Sequence, residues 1–319
     1  MRRDAKIYVA GHSGLAGSAV RRALERAGYS NLALRRHAEL ELTDAAAVAA
    51  FFQSERPEYV FLAAAKVGGI FANDSCPADF IRENLAVQLN VIHEAWRAGV
   101  KRLLFLGSSC IYPRDCPQPI KEEYLLTGPL EPTNRPYALA KIAGVEMCWS
   151  YNRQHGARFI AAMPTNLYGP GDNYDLSSSH VLPALIRKIH EAKQSGARQV
   201  TLWGSGRPLR EFLYSDDLGE ACAFLMRLPD ADFDRLVAPA QAPLVNIGAG
   251  TDQSIAELAA LIAEALGYRG EFHYDASKPD GTPRKLLDSS RLAALGWAPR
   301  TALRDGLKLA YDDFLRTQV

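Results

Sequence analysis

The side chains best suited to chemistry follow a short apolar segment at residues 103–106. That segment runs into a glycine, and Ser108, Ser109 and Cys110 come directly after it. A short apolar run that ends in this way is typical of a buried strand reaching the edge of a sheet. Open α/β sheets bind their ligands at the carboxyl ends of the strands. We therefore expect two hydroxyls and a thiol to line a ligand site.

A phenol and an amine form a second candidate pair. Tyr137 and Lys141 are four residues apart, a spacing that places both on one face of a helix, and Pro136 suits the helix start. An ammonium group close to a phenol stabilises the phenolate. We therefore expect the pKa of Tyr137 to lie below its usual value of ~10. Hydride transfer to a ketone needs a proton donor of this kind.

A glycine-rich turn follows the first apolar segment, residues 7–10. Its glycines are Gly11, Gly14 and Gly17, and residues 18–27 after it have the apolar spacing of a helix. In a strand–turn–helix unit, such glycines let the backbone approach a pyrophosphate, and the helix N-terminus faces its charge. The turn therefore predicts a dinucleotide site.

The end of the second predicted strand, residues 31–34, indicates which dinucleotide binds. Arg35, Arg36 and His37 come directly after it, and the first acidic residue is Glu39. An acid at this place contacts the ribose of NAD, whereas basic residues accommodate the 2′-phosphate of NADP. Adjacent arginines suit a bidentate phosphate contact, so we expect NADPH.

The elements that position these residues alternate along residues 6–164. Strands are expected at 7–10, 31–34, 59–65, 103–106 and 159–163, with helices at 18–27, 45–53, 78–99 and 137–155. This alternation predicts an α/β fold with a parallel, doubly wound Rossmann sheet. Beyond Pro164 it breaks, with a helix expected near 181–195. We expect a nucleotide-binding domain at 1–165 with a return segment near 216–248, and a smaller, mainly substrate-binding α/β domain at 166–319.

Composition excludes several classes of function. The chain has 319 residues, 48% of them hydrophobic and 23% charged, and its formal net charge is +1. We therefore expect no nucleic-acid or anionic-membrane surface. No apolar run reaches the roughly 18 residues of a membrane span. The five cysteines are scattered without a CxxC pair, and the seven histidines lack ligand spacing. We expect no metal site, and a reducing, cytoplasmic setting.

Together the glycine turn, Ser108 and the Tyr137–Lys141 pair resemble the extended short-chain dehydrogenase/reductase family. The resemblance covers nearly the whole chain. It implies a nicotinamide cofactor on the first domain, a nucleotide sugar under the second, and a homodimer. One branch of the family epimerises GDP-4-keto-6-deoxy-D-mannose at C3 and C5 and reduces it at C4 with NADPH, giving GDP-L-fucose. The segments similar to that branch are 64–69, 107–113, 164–170, 179–180, 203–206 and 278–285.

The resemblance also implies a role for each catalytic residue. Ser108 and Tyr137 would hydrogen-bond to the C4 oxygen, with Lys141 beside them, because the C4 ketone acidifies the neighbouring C–H bonds by forming an enolate. Cys110 would be the base, provided that a cation lowers its thiol pKa from about 8.5. His180, which titrates near neutrality, would return a proton from the opposite side of the sugar.

The remaining contacts are implied by the resemblance alone. Lys188, Trp203, Arg210 and Asp280 would bind the GDP-sugar. The cofactor would contact Gly11, His12, Ser13, Gly14, Leu15, Ala16, Gly17, Arg35, Arg36, His37, Leu42, Ala64, Leu106, Gly107, Ser109, Lys141, Pro164, Thr165, Asn166, Leu167 and His180.

Departures and rival activities concern the same positions. Members of this branch commonly carry an arginine at Ser13, so we expect a smaller preference for NADPH than is usual. Related 4,6-dehydratases have an Asp-Glu pair where Ser109 and Cys110 lie, and simple 4-epimerases have no thiol there. A regulatory module without turnover would typically lose Tyr137 or Lys141. A colitose-type synthase, which performs the same chemistry on a 3-deoxy sugar, remains an open alternative.

Overall fold

The computed structural model describes residues 1–278 and 280–319. Twelve strands and eleven α-helices follow one another in these two ranges. In chain order they are β1 (Ile7–Ala10), α1 (Leu15–Arg26), β2 (Leu32–Ala33), α2 (Ala45–Glu55), β3 (Tyr59–Leu62), α3 (Ile70–Ser75), α4 (Pro77–Arg97), β4 (Arg102–Leu106), α5 (Arg135–His155), β5 (Phe159–Pro164), β6 (Asn166–Tyr168), α6 (Val181–Ser195), β7 (Gln199–Trp203), β8 (Leu209–Tyr214), α7 (Ser215–Arg227), α8 (Asp230–Leu236), β9 (Leu244–Ile247), β10 (Asp252–Ser254), α9 (Ile255–Leu266), β11 (Glu271–Asp275), β12 (Arg284–Lys285), α10 (Ser290–Ala293) and α11 (Leu303–Gln318).

A parallel sheet of six strands, in the order β2-β1-β3-β4-β5-β9, organises the N-terminal part of the chain. Its strands are apolar apart from Arg102 in β4 and Asn246 in β9, because both faces are covered. In β1, Ile7 and Val9 pack with α1 and α7, whereas Tyr8 and Ala10 pack with α2, α4 and α5. The predicted α/β fold with a parallel, doubly wound sheet is confirmed.

The last strand of this sheet comes from far along the chain. Strand β9 pairs with β5, in the register Ala161↔Leu244 to Pro164↔Ile247. Helix α7 packs against α1, and the ion pairs Arg22–Asp216 and Arg26–Glu220 join the two helices. The chain thus returns to its N-terminal sheet after having formed β6–β8.

A second, smaller α/β layer faces the carboxyl ends of these strands. Its central strand is β8, which pairs with β6 and β12 in parallel and with β10 antiparallel, while β7 pairs separately with β11. Helices α6, α9 and α11 bury a common apolar core against this layer. Between residues 199 and 214, where no strand was expected, the chain forms two regular strands, β7 and β8.

Candidate active site

The end of β4 presents the two hydroxyls and the thiol predicted from the sequence. Ser108 is extended, with φ −159°, and begins a short 3-10 turn formed by Ser109–Ile111. Its Oγ accepts a hydrogen bond from the Cys110 backbone N–H at 3.4 Å. Ser109 and Cys110 are buried, whereas Ser108 remains partly open. The turn therefore directs Ser108 towards the cleft and holds Cys110 beneath it.

Helix α5 brings Tyr137 and Lys141 to the same place. Lys141 is buried and donates from Nζ to the Leu106 carbonyl oxygen at 2.8 Å, which ties α5 to the end of β4. Its Nζ lies 5.7 Å from the centroid of the Tyr137 ring. Burial lowers the pKa of Lys141 to about 8, and the neighbouring Cys110 opposes this shift.

The electrostatics of Tyr137 differ from the expectation. Burial raises the pKa of Tyr137 above its usual value, Cys110 adds to this rise, and the Ser108 hydroxyl opposes it. The Lys141 ammonium donates to a backbone carbonyl rather than to the phenol oxygen. The expected lowering of the Tyr137 pKa by Lys141 is therefore wrong for the protein alone, because spacing on a helix does not reveal which acceptor the amine chooses.

Cys110 and His180 approach the site from different elements. Burial raises the pKa of the Cys110 thiol, against the opposing charge of Lys285, the Ser108 hydroxyl and the Lys141 charge. His180 begins α6, and burial lowers its pKa, with Lys285 adding to the effect. The imidazole nevertheless remains reachable by solvent. The charge of Lys285 thus acts on both Cys110 and His180.

The glycine turn has the geometry of a dinucleotide site. Gly11 has φ +81°, and its carbonyl oxygen accepts from the Gly14 N–H at 3.1 Å. A Cβ on Gly17 would overlap that carbonyl oxygen, so α1 can start this close to β1 only with glycine there. His12 is buried, and its Nδ1 has no hydrogen-bond partner among the described residues. A buried polar group without a partner at the turn fits a site built for a polar ligand.

The two adjacent arginines have separate environments. Arg35 forms an ion pair with Glu55 at 2.5 Å and lies over the Phe51 ring. Arg36 is exposed, and its guanidinium forms no ion pair within ranges 1–278 and 280–319. His37 pairs with Glu41 at 2.8 Å. Of the three basic residues predicted for the 2′-phosphate, only Arg36 is thus free of an acidic partner in the described chain.

The other residues expected to contact the cofactor cluster around the strand ends. A Cβ on Gly11 would lie 2.7 Å from the Ala64 nitrogen, so β1 and β3 end side by side. Thr165 and Asn166, just after β5, both donate to the Glu211 carbonyl oxygen, at 3.2 and 2.8 Å. The other residues expected to contact the cofactor lie in or just after the strands and helices around these strand ends. They are Leu15, Ala16, Leu42, Leu106, Gly107, Ser109, Pro164 and Leu167. Ser13 is exposed in the turn.

The four residues expected to bind the GDP-sugar also come together. Trp203 is 56% exposed, and the Nζ atoms of Lys188 and Lys278 lie 5.2 and 5.6 Å from its ring centroid. Asp280 accepts from the Ser205 N–H and hydroxyl at 2.7 and 2.8 Å. Arg210 donates to the Asp280 carbonyl oxygen at 3.5 Å. An exposed indole and the cations over its ring are therefore available to a base and a diphosphate. Pro279 of the 278–285 segment lies outside the described residues.

Two charged residues of the cleft were not predicted from the sequence. Lys285 faces Cys110 and His180, and buried Glu131 lies just before α5, within range of the Arg210 and Lys285 charges. Lys285 lies in the 278–285 segment that carried the resemblance, but the segment gives no indication that it reaches Cys110. Glu131 precedes Tyr137 by six residues and gave no signal of its own.

Two searches of the described residues were negative. Nowhere in ranges 1–278 and 280–319 do three or more His, Cys, Asp or Glu side chains gather as metal ligands would. The helices within the same ranges are too short or too polar to cross a bilayer.

A Rossmann sheet with this glycine turn and a Tyr–Lys pair defines a class of nicotinamide-dependent enzymes, and the comparisons agree. The chain belongs to the NAD dependent epimerase/dehydratase family, which it matches over residues 7–238. It is 57% identical to GDP-L-fucose synthase 1 of Arabidopsis thaliana over 314 residues, covering 98% of this chain and 94% of that one. It is 52% identical to GDP-L-fucose synthase of Escherichia coli K12 over 313 residues, covering 98% and 97%.

A solved structure extends the similarity to the fold. The GDP-mannoheptose C4 reductase of Campylobacter jejuni, solved with NADP bound, is 41% identical and superposes with a TM-score of 0.89, covering 99% of both chains.

Proposed function

We propose that this protein converts GDP-4-keto-6-deoxy-D-mannose to GDP-L-fucose by 3,5-epimerisation followed by NADPH-dependent 4-reduction. The observation that carries the proposal is the joint presence of a reductase pair, Tyr137 and Lys141, and an acid–base pair, Cys110 and His180, around the end of β4. Relatives that share more than half of the sequence are named for this reaction.

In the reduction, Tyr137 gives the proton and Ser108 orients the ketone. The nicotinamide supplies a hydride to C4 when bound. The raised pKa of Tyr137 keeps the phenol protonated at neutral pH, so it can donate to the alkoxide that forms at the C4 oxygen. Lys141 holds the end of β4 in register with α5 through the Leu106 carbonyl.

In the epimerisation, Cys110 removes the proton at C3 or C5 and His180 returns one from the opposite face. The electron pair moves onto the C4 oxygen as an enolate, and Ser108 and Tyr137 stabilise this oxyanion by hydrogen bonds. The lowered pKa of His180 makes its protonated form a stronger acid than a free histidine.

Nucleotide binding is assigned to the smaller layer. We propose that Trp203 stacks on guanine, that Lys188 and Arg210 contact the diphosphate, and that Asp280 holds the 203–206 turn through Ser205. His12 and Arg36 lie where the glycine turn and the end of β2 would face the phosphates of NADPH.

The same proposal includes the organisation and setting of the protein. We assign residues 1–165 to the cofactor domain, with a return segment near 216–248, and residues 166–319 mainly to the substrate domain. We further propose a cytoplasmic homodimer formed through α4 and α5, which expose Leu85, Leu89 and Leu139.

Product analysis tests the proposed function. The protein is incubated with GDP-4-keto-6-deoxy-D-mannose and NADPH, and the product is identified by NMR. We expect GDP-L-fucose. A 4-reduced sugar that retains the original C3 and C5 configurations would instead indicate a plain C4 reductase. Higher kcat/KM on the 3-deoxy substrate would favour a colitose-type synthase.

The thiol has its own test. Cys110→Ser is expected to abolish solvent deuterium incorporation at C3 and C5 while NADPH binding is retained, because a hydroxyl is far less acidic than a thiol. Exchange at the wild-type rate would show that another group is the base.

A further inference from the structure

We propose that Lys285 is the positioning residue that stabilises the thiolate form of Cys110 during the epimerisation. This inference rests on the proposed function, because it concerns the base of that reaction. No role was assigned to Lys285 from the sequence, and four independent features of its surroundings lead to this assignment.

The first feature is the way that β12 is attached to the chain after Cys110. Gln118 donates from Nε2 to the Arg284 carbonyl oxygen at 3.3 Å and accepts from the Leu286 N–H at 3.0 Å. The Ile120 N–H donates to the Leu286 carbonyl oxygen at 2.7 Å. Residues 118–120 and 284–286 are therefore fixed side by side, and the former segment is only a short way along the chain from Cys110.

The second feature is the face on which Lys285 lies. Strand β12 pairs in parallel with β8, with Lys285 opposite Arg210. Arg284 uses the other face, where its guanidinium forms a two-point contact with Asp252 at 2.6 and 3.1 Å. Because side chains alternate along a strand, Lys285 projects to the face that carries Arg210, which is the cleft side.

The third feature is the set of groups around the ammonium. The charges that act on it come from Cys110 at the end of β4, Cys116 in the following loop, Arg210 on β8 and Glu131 before α5. Its own charge acts on His180 at the start of α6. Within the residues that the structure describes, Lys285 Nζ makes no hydrogen bond or ion pair.

The fourth feature is that the nearby acid and the other cation are engaged elsewhere. Glu131 accepts from the Thr133 hydroxyl at 3.2 Å and lies 3.5 Å from Arg114. Lys141 donates to the Leu106 carbonyl. Lys285 is therefore the cation available to stabilise a negative charge on Cys110. Burial raises the pKa of the Cys110 thiol, and Lys285 opposes this rise more than any other group.

The proton balance is simple. The Cys110 Sγ–H bond breaks and its proton passes to water, while Lys285 retains its three protons and stabilises the sulfur anion. The thiolate then takes the proton from C3 or C5, and the electron pair moves to the C4 oxygen. His180 supplies the new proton from the other face. The cycle closes when Cys110 again loses its proton to water and His180 regains one from water.

The test measures Cys110 directly and needs no substrate. Iodoacetamide alkylation of the NADPH-bound full-length protein is followed between pH 6 and 10, and the Cys110 peptide is quantified by mass spectrometry among the five cysteines. Lys285→Met is expected to raise the apparent pKa of Cys110 and to slow its alkylation at pH 7 by about tenfold. Lys285→Arg retains the charge and should restore most of the rate. Lys121→Met, an exposed lysine beside Ile120, is the matched control and should leave the profile unchanged.

Several outcomes separate this proposal from others. If Lys285 only binds the diphosphate, Lys285→Met raises KM for the sugar and leaves the Cys110 pH profile at its wild-type position, which overturns the inference. If Lys285→Met does not fold, NADPH titration reveals it, and Lys285→Arg then decides. Alkylation of Cys110 in Lys285→Arg at the wild-type rate supports the proposal, whereas alkylation about tenfold slower than wild type contradicts it. Absence of GDP-L-fucose would refute the proposed function without altering the alkylation profile.

Discussion

Neighbouring residues of one type serve different purposes in this chain. Arg35 contacts Glu55 and the Phe51 ring, whereas the guanidinium of adjacent Arg36 forms no ion pair with any residue that the structure describes. The basic triplet alone predicted a phosphate site. It could not assign the individual residues, because Glu55 is twenty positions away in the sequence and meets Arg35 only in the folded protein.

Replacing the two arginines separately should show that Arg36 determines the preference for NADPH and that Arg35 contributes to stability. Arg36→Ala is expected to lower kcat/KM for NADPH by about tenfold or more, since a charge-assisted contact is lost, and to leave kcat/KM for NADH unchanged. Arg35→Ala should instead lower stability by about 1 kcal/mol and preserve the ratio of the two cofactors. Steady-state kinetics with both nucleotides provide the measurement. Equal losses in the two variants would contradict the division.

The residues of the proposed site also differ in how far the sequence could reveal them. Ser108, Tyr137 and Lys141 could be found from the sequence because each lies in a local pattern, a strand end or a helical i, i+4 pair. Lys285 could not, because it reaches Cys110 through the pairing of β12 with β8 and the contacts of Gln118. Strand pairing between segments that are distant in the sequence produces no local sequence pattern from which the contact could be predicted.

At the scale of elements, β1 and α1 approach each other closely at the glycine turn. Helix α1 begins at Leu15, three residues before the expected start at residue 18. Gly14 is its N-cap, and Gly17 already lies within the helix. The expected helix at 78–99 is α4, but α3 before it was missed, since six residues are too few for a clear helical period. Strand β9 falls at the end of the expected return segment.

Two glycines of this turn make a matched pair. Gly17→Ala is expected to destabilise the protein by about 2 kcal/mol, because its Cβ would overlap the Gly11 carbonyl oxygen, and to weaken NADPH binding at least tenfold. Gly14→Ala should cost much less stability, because its Cβ would lie 3.6 Å from the same atom. Thermal unfolding and NADPH titration of both variants test this. A similar loss of stability in both would show that the close approach is unimportant.

At the scale of the whole molecule, the loop after β6 is hydrogen-bonded to the last helix, α11. The Gly171 N–H donates to Asp313 Oδ2 at 2.9 Å, and the Tyr174 hydroxyl donates to the Ala310 carbonyl oxygen at 3.1 Å. Asp172 lies between them with one buried oxygen, Oδ2, that has no partner among the described residues. Burial, with Asp313 adding to it, raises the pKa of Asp172 to about 7 against the hydrogen bond from the Asn173 N–H.

This carboxyl group should make stability depend on pH. The folded protein holds the Asp172 proton more tightly than the unfolded chain, whose pKa is near 3.8. Its contribution is therefore fully present below pH 3.8 and is lost as the pH rises through about 7. Asp172→Asn should raise the free energy of unfolding at pH 8 by an amount on the order of 1 kcal/mol, seen as a higher Tm than wild type, and this advantage should shrink at pH 5. A difference in Tm that is independent of pH would contradict the assignment.

The proposed dimer can be tested at the exposed leucines of α4 and α5. Leu89 on α4 is 56% exposed, and Leu85 on α4 and Leu139 on α5 are exposed as well. Leu89→Glu is expected to convert the dimer to monomers in light scattering, because a charge would be buried without a partner. Leu309→Glu, at a 47% exposed leucine on α11, serves as the control and should not change the mass. A Leu89→Glu dimer would exclude this face.

The late arrival of β9 has a consequence for the synthesis of the protein. The sheet that holds the glycine turn and the β4 hydroxyls gains its sixth strand only at residues 244–247, and α1 is covered by α7 only once residues 215–227 exist. Until then, a nascent chain carries an unpaired edge on β5 and a bare apolar face on α1, which are the surfaces that aggregate. A fragment that ends at residue 165 should therefore precipitate, and co-translational folding of the nucleotide site must wait until about three quarters of the chain has emerged.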